Sequence, residues 1–336
     1  MGFLEPTPLG EAPRGRPWIT GLSIDDLDGD GLLDVVFCEG NRHEVRWLRQ
    51  YPLGTYTEIL LATGVDGAAH VDAADLDGDG DLDLMVASMG VIFPNPQKIG
   101  AVVLLEQVAA GAFRTHVVLE RTHRVSDVQA GDLDGDGDLD LAVAQFGYDE
   151  GEIIWMENVG GWDYRPHSLL SLSGGINATI ADFNGDGLAD IATVVSQEWE
   201  EIYVYTNRGG GLFDGRAVFG STNEDYGSSG ITVGDLDGDG DEDIVYANGD
   251  AFDYARPGPR PWHGVQWLEN DGAGAFTFRR LGDFAGAYTP RIVDLEGDGD
   301  LDVVAVSGFN HWEKPDVVSL FCYENMGDGN FVSRPL

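Results

Sequence analysis

An all-β chain is what this sequence predicts, and three observations predict it. A nine-residue acidic loop recurs six times at near-constant spacing. Each copy runs into a short apolar stretch rich in β-branched residues, as in Leu301-Asp302-Val303-Val304-Ala305-Val306. A second signature, closing on Gln or Asn, follows every loop. Four antiparallel strands at this repeat length describe a propeller blade. The expected fold is therefore a six-bladed β-propeller of four-stranded antiparallel blades, with the acidic loops between strands 1 and 2. Seven blades is the alternative.

The loops begin at Asp26, Asp75, Asp132, Asp182, Asp235 and Asp294, which are 49, 57, 50, 53 and 59 residues apart. Each reads D-x-D-G-D-G-x-x-D, with oxygen donors at positions 1, 3, 5 and 9. The donors are Asp26, Asp28, Asp30 and Asp34 in the first loop and Asp75, Asp77, Asp79 and Asp83 in the second. The third has Asp132, Asp134, Asp136 and Asp140, and the fourth has Asp182, Asn184, Asp186 and Asp190. Asp235, Asp237, Asp239 and Asp243 form the fifth set, and Asp294, Glu296, Asp298 and Asp302 the sixth. An all-oxygen set around glycines suits a hard cation that takes six to eight oxygens, and a backbone carbonyl at position 7 usually joins it. Zinc prefers nitrogen and sulfur, and magnesium retains more water, so Ca2+ is expected, about six ions, one per repeat.

An EF-hand is excluded. That motif needs Glu at position 12 and flanking helices. Position 12 here is Phe37, Val86, Val143, Thr193, Tyr246 and Ala305 in turn, inside runs that read as strands.

The third strand of each unit carries Trp47-Leu48-Arg49-Gln50 or its counterpart, ending at Gln107, Asn158, Asn207, Asn270 and Asn325. Six residues later comes an aromatic that starts strand 4: Tyr56, Phe113, Tyr164, Phe213, Phe276 or Phe331. These features resemble the FG-GAP or VCBS-type repeats of integrin α-subunit heads and many bacterial extracellular proteins, over nearly the whole chain. The resemblance implies a propeller with calcium in the hairpin joining the first two strands of each blade. It implies no single function, since such repeats serve adhesion heads, lectins, polysaccharide lyases and scaffolds.

One domain, 1–336, is expected, with repeats at about 17–60, 61–118, 119–170, 171–220, 221–282 and 283–336. Residues 1–16 resemble a further copy of a last strand and are expected to close the ring. The formal charge is -40, yet 28 of the 59 acidic residues fall inside the loops. Without metal, the clustered carboxylates should repel and destabilise the fold. So acidic a chain excludes a phosphate-binding surface and hence nucleic acid as partner. No apolar run is long enough for a membrane span. Six calcium sites suit a calcium-rich compartment, so an extracellular, periplasmic or cell-surface location is expected, with any export signal trimmed or absent from this sequence. Cys38 and Cys322 are either a disulfide or two buried thiols. The sequon at Asn177 falls on an expected innermost strand, which disfavours glycosylation.

Chain length varies at one end of the repeats. From loop position 9 to the strand-3 Gln or Asn there are 16 positions in repeat 1 and 27 in repeat 5. Insertions concentrate in the strand 2–3 connections of repeats 2, 5 and 6, opposite the acidic loops, and insertions on one face commonly mark a binding surface. These connections hold Phe252, Tyr254, Arg256, Arg260, Trp262 and His263 in repeat 5, and Phe309, His311 and Trp312 in repeat 6. His70, His123, Arg124, Asp127, Tyr288 and Arg291 mark entries to the innermost strands. Rings beside polar groups suit a sugar, so carbohydrate or a cell-surface glycan is the expected ligand. Trp262, Trp312, Tyr254, Phe252, His70, His123, Arg124 and Asp127 are the candidate contacts. Packing of these rings within their own long loops is the competing reading. A polysaccharide lyase is the alternative function. It would take its base from His263, His311 or Tyr254 and its carboxylate-neutralising group from Arg256, Arg260 or Arg291. A protein-adhesion or scaffold module is the third.

Overall fold

The computed structural model describes residues 8–10, 15–93, 95–252, 256–315, 317–327 and 329–336. Repeat 1 forms β1 (Ile19–Asp25), β2 (Asp34–Glu39), β3 (Glu44–Gln50) and β4 (Tyr56–Thr63). Repeat 2 forms β5 (Ala68–Ala74), β6 (Asp83–Ser88), β7 (Gly100–Ala109) and β8 (Ala112–Thr122). Repeat 3 gives β9 (Arg124–Gly131), β10 (Asp140–Phe146), β11 (Glu152–Asn158) and β12 (Tyr164–Leu170). Repeat 4 gives β13 (Gly175–Ala181), β14 (Asp190–Val195), β15 (Glu201–Asn207) and β16 (Phe213–Gly220). In repeat 5 they are β17 (Ser228–Gly234), β18 (Asp243–Asn248), β19 (Gly264–Asn270) and β20 (Phe276–Asp283). Repeat 6 completes the set with β21 (Ala287–Val293), β22 (Asp302–Ser307), β23 (Leu320–Asn325) and β24 (Phe331–Pro335). Each repeat is one four-stranded sheet with its strands in sequence order and paired antiparallel. The fold is an all-β propeller of six such blades. The expected ring-closing strand, centred on residues 2–9, lies for the most part outside the described residues.

Burial explains the composition of each strand. The second strand of a blade is covered on both faces, so β6, β14 and β18 are buried at every position and read as unbroken apolar runs. The fourth strand is the outer edge; β16 and β20 are exposed along most of their length and carry charged residues. Fully burying Leu84, Met85 or Val86 contributes about 1.5–3 kcal/mol each.

The chain divides within β13 into two compact units, residues up to Ala178 and residues from Thr179 onward. In the first, Trp47, Val86, Leu105 and their neighbours form one core, and Leu104, Val128, Leu141 and Met156 anchor a second. In the second unit Val245, Trp267, Ala305 and Tyr323 centre the core. Cys38 and Cys322 are buried free thiols, and burial pushes the Cys38 thiol up to about 12. Among the described residues no helix is long and apolar enough to cross a membrane.

Candidate functional site

Each acidic loop is the hairpin turn between the first two strands. In repeat 1 the last residue of β1, Asp25, pairs with the position-9 residue Asp34, and repeat 2 matches this with Ala74 and Asp83. Position 2 looks arbitrary in the motif but is an apolar plug: Leu27, Leu76, Leu133, Phe183 and Leu236 are all buried. Positions 4 and 6 are glycines with φ between +68° and +97°, a region where a Cβ is strained. The position-1 carboxylate caps the turn from inside. Asp182 accepts from Gly185 N at 2.8 Å and Gly187 N at 2.7 Å, and Asp235 accepts from Gly238 N and Gly240 N at 2.8 and 3.0 Å.

Position 9 has a structural duty apart from any role as a ligand. Asp34, Asp83, Asp140, Asp190, Asp243 and Asp302 are almost completely buried. In every loop one oxygen accepts the N–H of residue 2, as Asp243 does from Leu236 at 3.0 Å. The other accepts the N–H of the strand-3 Gln or Asn, as Asp243 does from Asn270 at 2.8 Å. Desolvation holds the carboxyls of Asp83, Asp140 and Asp190 up at about 6 and that of Asp243 up at about 7, against those donors.

The strand-3 Gln or Asn is the other half of the clamp. Asn325 donates Nδ2 to Leu301 O in its own loop at 3.2 Å and to Leu236 O, position 2 of the preceding loop, at 2.8 Å. Gln107 does the same with Leu82 O and Leu27 O, and Asn270 with Glu242 O and Phe183 O. In five blades its side-chain oxygen takes the N–H of a glycine in the turn to strand 4, Gly111 for Gln107 and Gly327 for Asn325, whereas Asn270 Oδ1 has no hydrogen-bond partner.

Four of the six loops gather carboxylates as a divalent cation requires. Carboxylate oxygens of Asp26, Asp28 and Asp34 lie within 4.8 Å of one another, as do those of Asp75, Asp77 and Asp83. Asp132, Asp134 and Asp136 converge in the same way, and so do Asp235, Asp237 and Asp239. Buried oxygens of Asp28, Asp75 and Asp138 have no hydrogen-bond donor. In the sixth loop desolvation, then contact with Glu324 and Asp302, lifts the Glu296 carboxyl to about 7. Carboxylates gathered this closely need a positive charge among them.

At the opposite end of the blades the expected ligand residues fall into separate groups. In the first unit His70 Nδ1 lies 3.3 Å from Asp127 Oδ1, and Asp127 Oδ2 accepts from Asn177 Nδ2 and Ala178 N, both at 3.1 Å. Arg124 is buried beside His123. It donates to Ile92 O and Phe93 O at 3.1 Å and stacks under Phe146 at 4.7 Å. In the second unit Phe252 meets Phe309 edge-on at 4.8 Å, with Tyr288 beyond it at 6.1 Å. Trp312 is 54% exposed and His311 Nδ1 lies 3.3 Å from Glu313. Trp262 is instead tied down, donating Nε1 to Asp225 O at 3.1 Å. Tyr254 lies outside the described residues, and Arg256 is exposed.

His263 is a pin rather than an available base. It is buried, and its Nδ1 accepts from Arg260 N at 3.3 Å and Gly286 N at 3.1 Å, so that nitrogen has no proton to give or place for one. Desolvation, helped by Arg260, lowers it to about 4. Arg260 donates to Gly258 O in its own loop and Arg291 to Pro290 O within β21, both at 3.0 Å.

The model of the FG-GAP-like repeat matches residues 26–86, 132–193 and 182–246, more than half of the chain. The chain belongs to the FG-GAP-like repeat family. A stretch is 34% identical over 137 residues to integrin alpha-3 of Cricetulus griseus, covering 35% of this chain and 13% of that one. This chain thus spans well under two thirds of that relative. Among solved structures, virginiamycin B lyase from Staphylococcus aureus superposes with a TM-score of 0.57 at 11% identity, covering 95% of this chain and 84% of that one. A 6-phosphogluconolactonase-like protein from Bacteroides uniformis gives 0.59 at 13%, covering 94% and 83%. At such identities these two likenesses speak for the fold alone.

Two features of these FG-GAP-like repeats escape sequence reasoning. Glu200 is buried and accepts from Gly227 N at 3.1 Å, Ser228 N at 2.9 Å and the Ser228 hydroxyl; desolvation raises it to about 7. Asp72 stands near His70, Asp127 and Asp25 on neighbouring innermost strands, and desolvation raises its carboxyl. Neither has a spacing signal, because each depends on which strands become neighbours.

Proposed function

We propose that this chain is an extracellular binding propeller stabilised by about six calcium ions, one per repeat, that recognises carbohydrate at the strand 2–3 ends of its blades. The ions would be held by the donors at loop positions 1, 3, 5 and 9, and would supply the charge that lets those carboxylates stay together. An all-oxygen donor set favours calcium over zinc, and six sites of this kind suit a calcium-rich, extracytoplasmic setting.

The observation that supports a ligand at the other end is exposure of rings. Phe93 is 65% exposed, Phe252 64% and Trp312 54%, each in one of the long connections. Apolar ring faces beside Asn310, His311 and Glu313 suit a sugar, which offers an apolar face and a rim of hydroxyls. Glycan-array binding in calcium is the test. Trp312→Ala and Phe252→Ala should each weaken it at least about tenfold, in line with the loss of an aromatic anchor. Absence of binding to every glycan class, or full binding by both variants, would sink the carbohydrate reading.

A protein ligand is the second reading, favoured by the similarity to a segment of integrin alpha-3. Capture of one defined surface protein, blocked by Trp312→Ala, would establish it in place of the first.

A further inference from the structure

The residue just before the strand-3 Gln or Asn is Arg49, Glu106, Glu157, Thr206, Glu269 and Glu324 in the six blades. Four of these are glutamates, at the place in the repeat that Arg49 takes in blade 1. Each glutamate is answered from strand 4: Glu106 by Arg114 at 2.9 Å, Glu157 by Arg165 at 2.9 Å, Glu269 by Arg279 at 2.5 Å, and Glu324 by Arg334.

Blade 1 inverts this arrangement. Across from Arg49 on β4 stands Thr57, not an acid. The guanidinium turns to the loop instead, with Nε 2.5 Å from Asp28 Oδ2 and Nη2 3.8 Å from Asp30 Oδ2. It is aimed there by stacking against Tyr51 and Trp47, 5.4 and 5.9 Å from the ring centres. Asp28 and Asp30 are positions 3 and 5 of the motif. Where blades 2, 3, 5 and 6 have an arginine-paired glutamate at this place, blade 1 has a positive charge already seated on two of the loop's own donors.

We propose that Arg49 is a resident counter-cation of the first loop, which therefore keeps its shape without a divalent ion and takes one up more weakly than the loops of repeats 2, 3, 5 and 6. The inference rests on the calcium reading above. An ion that takes the free Oδ1 of Asp28 must do so beside the guanidinium held on Oδ2, against its positive charge. Exchanging a positive for a negative charge at this range changes the affinity for a divalent ion by about tenfold or more, even with water-like screening.

Calorimetric calcium titration of the whole chain tests this with four variants. Wild type should show an uptake step weaker than those of repeats 2, 3, 5 and 6. Arg49→Glu should strengthen that step about tenfold, and Arg49→Lys should resemble wild type. Asp28→Asn should leave the tight steps intact, whereas Asp134→Asn should abolish or weaken one. An Asp28→Asn protein that loses a tight step, or an Arg49→Glu protein that binds as wild type does, would overturn the proposal. In chelator, Arg49→Gln should melt several degrees lower than wild type and Glu106→Gln should not. If wild type takes up no calcium, the calcium reading fails; equal melting of wild type and Arg49→Gln in chelator would then overturn the role of Arg49 as well.

Discussion

The two ends of each blade are built on opposite terms. At the strand 1–2 end, six loops repeat one hydrogen-bond scheme, and the buried position-9 aspartate has both oxygens engaged by backbone donors, as in Asp190 with Phe183 and Asn207. At the strand 2–3 end no two connections agree. One buries an acid at Glu200, another pins a neutral imidazole at His263, and a third leaves Trp312 in water. A scheme that satisfies the backbone internally tolerates little change, so it recurs. Where the backbone is satisfied loop by loop, side chains are free to differ.

On the calcium reading, chelation breaks the contrast most decisively. Chelation should lower the melting temperature by more than about 10 °C, because several sites each contribute about 2–3 kcal/mol when calcium stands a hundredfold above its dissociation constant. Differential scanning calorimetry with and without chelator reads this, and an unchanged midpoint would reduce the loops to metal-free turns. Next in size is the clamp. Asp243→Ala leaves the N–H groups of Leu236 and Asn270 without their acceptor, a loss of about 2–4 kcal/mol in urea unfolding. The loss should persist in chelator, since these hydrogen bonds do not involve the ion; its disappearance there would make Asp243 a ligand and nothing more.

At the other end, Glu200 gives a pH signature. Its carboxyl is raised from the ordinary 4.5 to about 7, so between those values the folded chain holds a proton that the unfolded chain has released. Stability from this group is therefore full below about 4.5 and is lost as the pH rises through about 7, by about 1–3 kcal/mol. Groups near it, Asp250, Tyr246 and Tyr226, do not reverse the sign: the Asp250 charge raises Glu200 further. Glu200→Gln in saturating calcium should flatten the stability profile across this window, and an unaltered slope would show that the proton is held elsewhere. The smallest effect is at Trp312. Its replacement by Ala should change stability by less than about 0.5 kcal/mol while abolishing ligand binding, whereas Trp262→Ala should cost stability, since that ring is bonded to Asp225 O.

Legibility in the sequence follows the same division. The loops were readable because the motif is local: the donors, the glycines and the following strand all lie within about fifteen residues. Even there the motif presents position 9 only as a ligand, and the closing Gln or Asn of strand 3 without its reason. The partner of Asp302 is Asn325 N, across a connection of variable length, so no fixed spacing reports it. The ligand end was legible only as composition. Trp262 and Trp312 look alike in the sequence, and only the packing of the 221–226 segment against one of them separates a fastened ring from an open one. His263 looks like a candidate base until Arg260 and Gly286 are seen to fill its lone pair.

The strand-3 amide carries one more consequence. Gln107 holds the carbonyl of Leu27, Asn270 that of Phe183 and Asn325 that of Leu236, so each is fastened at once to its own turn and to the turn of the repeat before it. Ordering one turn thus prepares its neighbour and leaves more distant ones untouched. Occupancy should spread along each unit as it does in a linear lattice with nearest-neighbour coupling, and a defect introduced in one sector should fade within one or two sectors of its origin.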